Sequence, residues 1–476
     1  MYTITFRKVV PFLALLGLSL SACQPDLEDE VKTSAGTADF SRYIAVGNSL
    51  TAGFADGGLY LEGQQNSYPS MLAQQFRAVG GGDFAQPLFA AGQENGSGYL
   101  RITGFASDGT PVTGNVTTNL ALRSGATAAR PLYTKYTDPV NNLGVPGIRL
   151  SDIETAGYGS TQGNPYFERI TPDAQATQTY LARAAASNPT FFTNWLGNND
   201  VLGYATAGGA ASNITATTDF TDKNNKLVNA LTANGAKGLV VNIPDVTTVP
   251  FFTTVGPVLK ATLTAASVPG LIIQTGSAFG GPTSSNRKQI ATTDIRDAAG
   301  TGRQLFTLLS SPYVRLINQR TGRAWRFVYS QSGQPAAGFP LFLAAYGIDT
   351  TATFGTSAAN PIPSLFVLDD VEQGLVRTAT TAFNNAIAVK ANEKNLALLD
   401  INAFFARVAA GGIVVNGVQN TTGFVSGNLF SLDGVHLTPR GYAIVANEMI
   451  KVINAKYNAS VPQLNPLDYR GVRFPN

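Results

Sequence analysis

Apolar residues in this chain fall into two kinds of run that take turns. Short unbroken stretches bounded by Gly, Asn or Pro read as strands buried on both faces. Tyr43-Ile44-Ala45-Val46 is the first, and 190–196, 238–243 and 396–401 follow. Between them lie stretches with helical spacing at 67–79, 172–186, 220–233 and 371–389. In the last of these, Leu375, Ala379, Ala382, Phe383 and Ile387 recur on one face. The final helix carries the clearest pattern. Thr438 caps it, Pro439 takes the first helical position, and Tyr442, Val445, Ala446, Met449, Ile450, Ile453 and Tyr457 make one stripe. Strand-like and helix-like segments in alternation predict an α/β sheet.

Two stretches break the rhythm. Around Ser107-Asp108-Gly109, alternating residues over 99–117 predict a β-hairpin. The stretch 251–363 is long, rich in Gly, Thr, Ser and Pro, and holds Trp325, Phe327 and Tyr329. Both read as insertions, over about 54–135 and 251–363, above a single sheet. Their aromatics are expected to form local core rather than a ligand platform. A length of 476 residues matches about three average domains, yet neither a second linker nor a solenoid repeat appears.

Composition narrows the chemistry. Charged residues are only 13% of the chain, 33 basic against 30 acidic, so the basic face of a nucleic-acid binder is not expected. One Cys excludes an intramolecular disulfide or a Cys cluster, and one His excludes a multi-His metal site. Residues 1–22 read as an export signal, with Arg7 and Lys8 before the apolar run 9–20. Leu20-Ser21-Ala22-Cys23 looks like a bacterial lipobox, which makes Cys23 the expected cleavage and lipidation site. An acidic tether over 23–39 would follow, and acyl chains on Cys23 would be the membrane anchor, pointing to an exported lipoprotein of a Gram-negative-type outer membrane. A folded region over 40–460 and a tail over 461–476 complete the organisation.

The single histidine lies in Asp433-Gly434-Val435-His436-Leu437-Thr438-Pro439, just before the last helix. An Asp three residues earlier can accept from the imidazole Nδ1–H and leave Nε2 free to take a proton. Taken alone, the pair reads more readily as a structural His beside a turn-capping Asp. For a nucleophile, no G-x-S-x-G elbow occurs. Gly47-Asn48-Ser49-Leu50-Thr51 ends the first strand, where a serine is presented at the carboxyl edge of the sheet or simply caps a helix. Gly47 would allow a tight turn there. Donors for a developing oxyanion are available in Asn142-Leu143-Gly144-Val145-Pro146-Gly147, through the Gly147 N–H, and in Gly197-Asn198-Asn199-Asp200, through the Asn199 carboxamide. Each segment also reads as an ordinary turn.

The four segments in this order resemble the SGNH (GDSL) hydrolase family. Gly47 to Leu50 matches its first block, Asn142 to Gly147 its N-x-x-x-x-G block, Gly197 to Asp200 its G-x-N-D block, and Asp433 to His436 its D-x-x-H block. The segment 240–245 looks like the family's strand before the last block. The departure is Asn48, where the family usually has Asp. The resemblance implies a flavodoxin-like three-layer α/β/α sandwich with a mostly parallel sheet. It also implies a serine esterase or lipase acting on acyl esters, acetyl esters on carbohydrate among them. Ser49 would be the nucleophile, His436 the base and Asp433 its orienter. The N–H groups of Ser49 and Gly147, with the Asn199 side chain, would hold the oxyanion, and no metal or organic cofactor is called for. The alternative expectation, raised by Asn48 and the insertions, is a glycan- or lipid-binding lipoprotein without catalysis.

Overall fold

The strand Tyr43–Gly47 (β1) is buried at every position, as a run with apolar residues facing both ways requires. It belongs to a five-stranded sheet with Asn142–Gly144 (β2), Phe191–Trp195 (β3), Lys237–Val241 (β4) and Ala397–Leu399 (β5). In the computed structural model, which describes residues 33–107, 109–276 and 286–475, the spatial order is β2-β1-β3-β4-β5. Every pairing in this sheet is parallel, with Ala45 opposite Asn142 and Thr193, and Leu239 opposite Ala397. This is the flavodoxin-like strand order, in which the direction of strand addition reverses between β1 and β3.

Helices cover the sheet as a three-layer α/β/α arrangement. Tyr68–Arg77 packs with Pro439–Tyr457, while Tyr180–Ala186, Thr217–Leu231 and Asp370–Glu393 pack side by side. The aromatic core between these layers includes Phe191, Phe192, Trp195, Phe220 and Phe383, with Phe220 stacked on Phe383 at 3.9 Å. The longest helix starts at a capping box in which Asp369 accepts from Glu372 N and Glu372 accepts from Asp369 N.

Several boundaries differ from the sequence expectation. The stretch 172–186 is not one helix. A 3₁₀ turn spans Asp173–Gln175, and Thr179 starts a new helix by accepting from Ala182 N. Ile401 leaves the expected strand and opens the helix Ile401–Gly411, because Asp400 caps it from Ala403 N. The end of the expected tether is folded. Thr37 N donates to Tyr457 O, Ala38 is buried, and the compact unit begins at Ser34. The expected tail also packs down, with Val461 and Leu464 buried and the Asn447 carboxamide exchanging two hydrogen bonds with Leu464. The signal segment, the lipobox and Cys23 lie outside the described residues. No helix among the described residues is long and apolar enough to cross a membrane.

The first interruption forms the hairpin Tyr99–Phe105 with Pro111–Val116, whose register shifts between Ile102 and Gly104; Asp108 lies outside the described residues. The second builds cores of its own. Leu259, Leu271, Ile273, Ile290 and Phe354 form one, while Trp325, Tyr329, Phe339 and Ile348 form another. Trp325 is buried and its Nε1–H donates to Asn360 Oδ1 at 3.0 Å. These aromatics are local core.

Gly144 sits where β2 passes under the short helix that follows β1. A Cβ there would lie 2.3 Å from Ala52 N and 2.7 Å from Thr51 C. Both atoms are backbone and cannot rotate aside, so Gly144→Ala is expected to destabilise the fold by about 2 kcal/mol. Urea unfolding followed by circular dichroism measures this.

Candidate active site

At the carboxyl end of β1 the chain enters the short helix Ser49–Ala52. Gly47 is needed here for close approach rather than for turn geometry, because a Cβ would stand 1.8 Å from Thr51 Oγ1. Asn48 is the N-cap. Its Oδ1 accepts from Leu50 N at 3.0 Å, so the amide supplies the one acceptor that a cap needs. Ser49 is therefore the first helical residue and not the cap. Its side chain is free for another partner.

That partner comes from 387 residues away. Thr438 accepts from Gly441 N and starts the last helix behind Pro439. In the preceding loop, Ser431 N donates to His436 O at 2.8 Å, which closes the turn that presents the imidazole. His436 Nε2 lies 2.8 Å from Ser49 Oγ, and Nδ1 lies 2.8 Å from Asp433 Oδ2. The ring of Phe54 packs 4.6 Å from the imidazole. An ionised carboxylate can only accept, so Nδ1 carries the proton toward Asp433. Nε2 of the neutral ring is then the acceptor for the Ser49 hydroxyl.

Asp433 is held by more than its histidine. Oδ1 accepts from the backbone N–H groups of Val435 and His436, each at 2.8 Å. Oδ2 also accepts from Gly57 N at 2.8 Å. Burial alone would raise its pKa, but the His436 charge and these donors outweigh it and hold the carboxyl well below the ordinary range. The Gly57 donor comes from the start of the first insertion. There the buried Asp56, at a φ of 53°, accepts from Leu432 N at 3.0 Å and from Tyr60 O–H at 2.8 Å. Burial raises the Asp56 pKa. Neither Asp56 nor Gly57 was expected from the sequence, because no local pattern ties them to a loop 376 residues on.

The two remaining blocks are stitched together. The Asn142 carboxamide donates to Thr51 O at 3.0 Å and accepts from Gly144 N at 2.9 Å, tying β2 to the serine's helix. Asn199 opens the helix Asn199–Thr206 and donates one N–H to Ile148 O at 2.8 Å, leaving its second uncommitted. The buried Asp200 beside it accepts from Leu150 N at 2.7 Å, Ser151 N at 3.2 Å and Thr215 Oγ1 at 2.7 Å. It thereby fixes the segment that follows Gly147, a part the sequence reading did not assign to it. Gly147 has a φ of 83°, in the left-handed region that favours glycine. The backbone N–H groups of Ser49 and Gly147 make no hydrogen bond among the described residues.

Ser49, Asn199 and His436 line one cavity of about 50 Å³, with apolar walls that include Trp195, Leu202 and Phe430. Gly147 is exposed and is not part of that lining. The site lies at the carboxyl ends of β1 and β3, the crevice where strand order reverses and where open α/β sheets place their ligands. Among the described residues, no group of acidic, Cys or His side chains is arranged to hold a metal ion.

No protein-family model matches this chain, and no curated protein matches it in sequence. Among solved structures, it is similar to LAE5, described as an alpha/beta hydrolase enzyme from the metagenome of Lake Arreo, Spain. The identity is 9%, the match covers 88% of this chain and 97% of that one, and the TM-score is 0.33. A second solved structure matches at 11% identity over 89% of this chain and 99% of its own, with a TM-score of 0.31. Likeness this distant says nothing about the site, which stands on its own geometry.

Asp433→Asn is expected to keep the turn and reverse the imidazole tautomer. Any Ser49-dependent turnover should fall by about 10³- to 10⁴-fold, measured as kcat with protein shown folded by circular dichroism. The same carboxyl reports on stability. Its folded pKa is depressed, so its contribution is complete above about pH 4 and fades as pH falls further. Thermal melts of wild type and Asp433→Asn should therefore differ at pH 7 and converge in strong acid.

Proposed function

We propose that this chain is a serine esterase of the SGNH type. The observation that carries the reading is the continuous hydrogen-bonded line from Ser49 Oγ through His436 to Asp433, with both links at 2.8 Å. In this mechanism Ser49 Oγ attacks the ester carbonyl carbon as its proton passes to His436 Nε2. The carbonyl electron pair moves onto oxygen, toward the uncommitted N–H of Asn199 and the free backbone N–H groups of Ser49 and Gly147. Collapse re-forms the carbonyl and breaks the bond to the alcohol, which leaves with the proton from His436. Water then repeats the sequence on the acyl-serine and releases the acid. Each oxyanion donor lost should cost about 3 kcal/mol in the barrier.

The buried setting of the line favours catalysis over a merely structural histidine. The His436 and Asp433 side chains are each 15% exposed, so the imidazolium that forms is stabilised by a carboxylate with little competing water. The protein's place would be a bacterial outer membrane, held there by acyl chains on Cys23.

Ser49→Ala is expected to remove ester hydrolysis and fluorophosphonate labelling together while leaving the melting temperature within about 2 °C of wild type. Retained turnover in that folded variant would end the serine mechanism. For the anchor, Cys23→Ser should move the expressed protein from the membrane pellet to the soluble fraction, read by immunoblot.

A further inference from the structure

The last segment of the chain is linked to the candidate triad without touching it. Its backbone is fixed beside the histidine loop. Arg440, in the first turn of the last helix, donates its N–H to Arg470 O at 2.9 Å and its Nε–H to Tyr469 O at 3.1 Å. The Arg470 side chain reaches the start of the first insertion. Its guanidinium takes both oxygens of Glu62, from Nε at 2.7 Å and from Nη2 at 3.1 Å, and Nη2 also donates to the Tyr60 hydroxyl at 3.1 Å.

From Tyr60 the line runs on with its polarity fixed. A guanidinium can only donate and a phenol has one proton, so Tyr60 accepts from Arg470 and gives its own proton to Asp56 Oδ2 at 2.8 Å. Asp56 then holds the histidine loop at two points. Its Oδ1 accepts from Leu432 N at 3.0 Å. Its N–H donates to Ser431 Oγ at 2.8 Å, and that hydroxyl lies 3.3 Å from Asp433 Oδ1. The next residue, Gly57, gives its N–H to Asp433 Oδ2. The φ of 53° at Asp56 costs an L residue energy and lasts only where the surroundings enforce it. The loop that carries His436 is thus gripped at 431–433 by Asp56 and at its far end, through Arg440, by the tail. Arg470 is common to both grips.

Charge matters here as well as hydrogen bonding. Around Asp56 stand Tyr60 on the same segment, Asp433 on the histidine loop, Tyr442 on the last helix, Tyr99 and Arg101 on the hairpin, and Arg470 and Arg473 on the tail. Among the described residues, Arg470 is the one cation within 4.0 Å of the Asp56 carboxylate. Burial raises the Asp56 pKa and Asp433 adds to the rise, while Leu432 N, Tyr60 and Arg470 oppose it. The Arg470 side chain is 24% exposed, so water screens the pair only in part. Resting on the serine esterase reading above, we infer that Arg470 is a positioning residue for the triad, acting through Tyr60 and Asp56 to hold the loop that carries Asp433 and His436. A neutral Asp56 would bind Leu432 N more weakly than the carboxylate does. Removing the Arg470 charge therefore makes the grip on the loop sensitive to acid.

The test uses the full chain and 4-nitrophenyl acetate, corrected for the Ser49→Ala background, with folding checked by circular dichroism. Arg470→Gln should lower kcat about 10-fold and leave KM within about 2-fold, since a misplaced catalytic group acts on the transition state. It should also change the acid limb of the pH profile. In wild type one proton, on His436, sets that limb. Without the Arg470 charge Asp56 takes a second proton there, so the ratio of kcat/KM at about pH 5 to that at about pH 8 should fall a further 3-fold or more, roughly. Arg470→Lys restores the charge and should recover the wild-type limb. Arg473→Gln removes a charge from the same cavity but not from this line, and should keep kcat within about 2-fold. Tyr60→Phe removes the link to Asp56 and keeps the Arg470–Glu62 pair. It should lower kcat about 5-fold, and it serves as the test if Arg470→Gln does not fold. Wild-type kcat and limb in these folded variants overturn the inference. So does a lowered kcat with an unchanged limb that Arg470→Lys fails to recover, because a merely structural role predicts that. Fluorophosphonate labelling of wild-type Ser49 then leaves the esterase reading standing, whereas wild type that neither labels nor hydrolyses overturns both.

Discussion

One carboxylate organises the candidate site. Asp433 accepts from Gly57 N, Val435 N, His436 N and the His436 ring within 2.8 Å of each. With the Ser431 hydroxyl at 3.3 Å, five donors on two oxygens keep it ionised despite its burial and fix its direction. The imidazole follows from the carboxylate, since Nδ1–H has only one place to donate. The serine follows from the imidazole, since Nε2 is then an acceptor at hydrogen-bond distance from Ser49 Oγ. Remove the carboxylate's charge and each later relation in the chain loses its cause.

The sheet supplies the stage on which those relations hold. With order β2-β1-β3-β4-β5, the chain reverses direction of progress between β1 and β3, and the crevice there receives Ser49 from one strand and Asn199 from the other. Asp200 and Asn142 do not line the cavity. They tie the surrounding segments to one another, through Leu150 and Ser151 in one case and Thr51 in the other. A buried carboxylate that accepts two backbone N–H groups is costly to displace, so Asp200 holds the segment after Gly147 in place.

The insertions have two different relations to the site. The first begins at the turn that contributes Gly57 N to Asp433, and its buried Asp56 accepts from Leu432 N. It is therefore part of the support for the imidazole and not only a rim above it. The second carries hydrophobic cores of its own, while its Phe251, Phe252 and Leu305 join the main core of the sheet and helices. Asn48 has a local explanation as well. A helix cap needs one acceptor oxygen, and the amide provides it to Leu50 N.

Much of the plan was legible in residue order. Buried runs such as 43–46 announced strands because a strand covered on both faces must be apolar on both, and the stripe from Tyr442 to Tyr457 announced a helix. The only histidine, an Asp three residues before it and a serine after the first strand pointed to a chemistry. Helix starts at Thr179 and Ile401 were missed because capping bonds, not periodicity, placed them. Only the tertiary structure could join Ser49 to His436 across 387 residues, or lend Gly57 N to Asp433 across 376. Periodicity encodes which face of an element is buried. It carries no information about which distant donor will meet an acceptor, because that is decided by strand order and by how packed layers bring loop ends together.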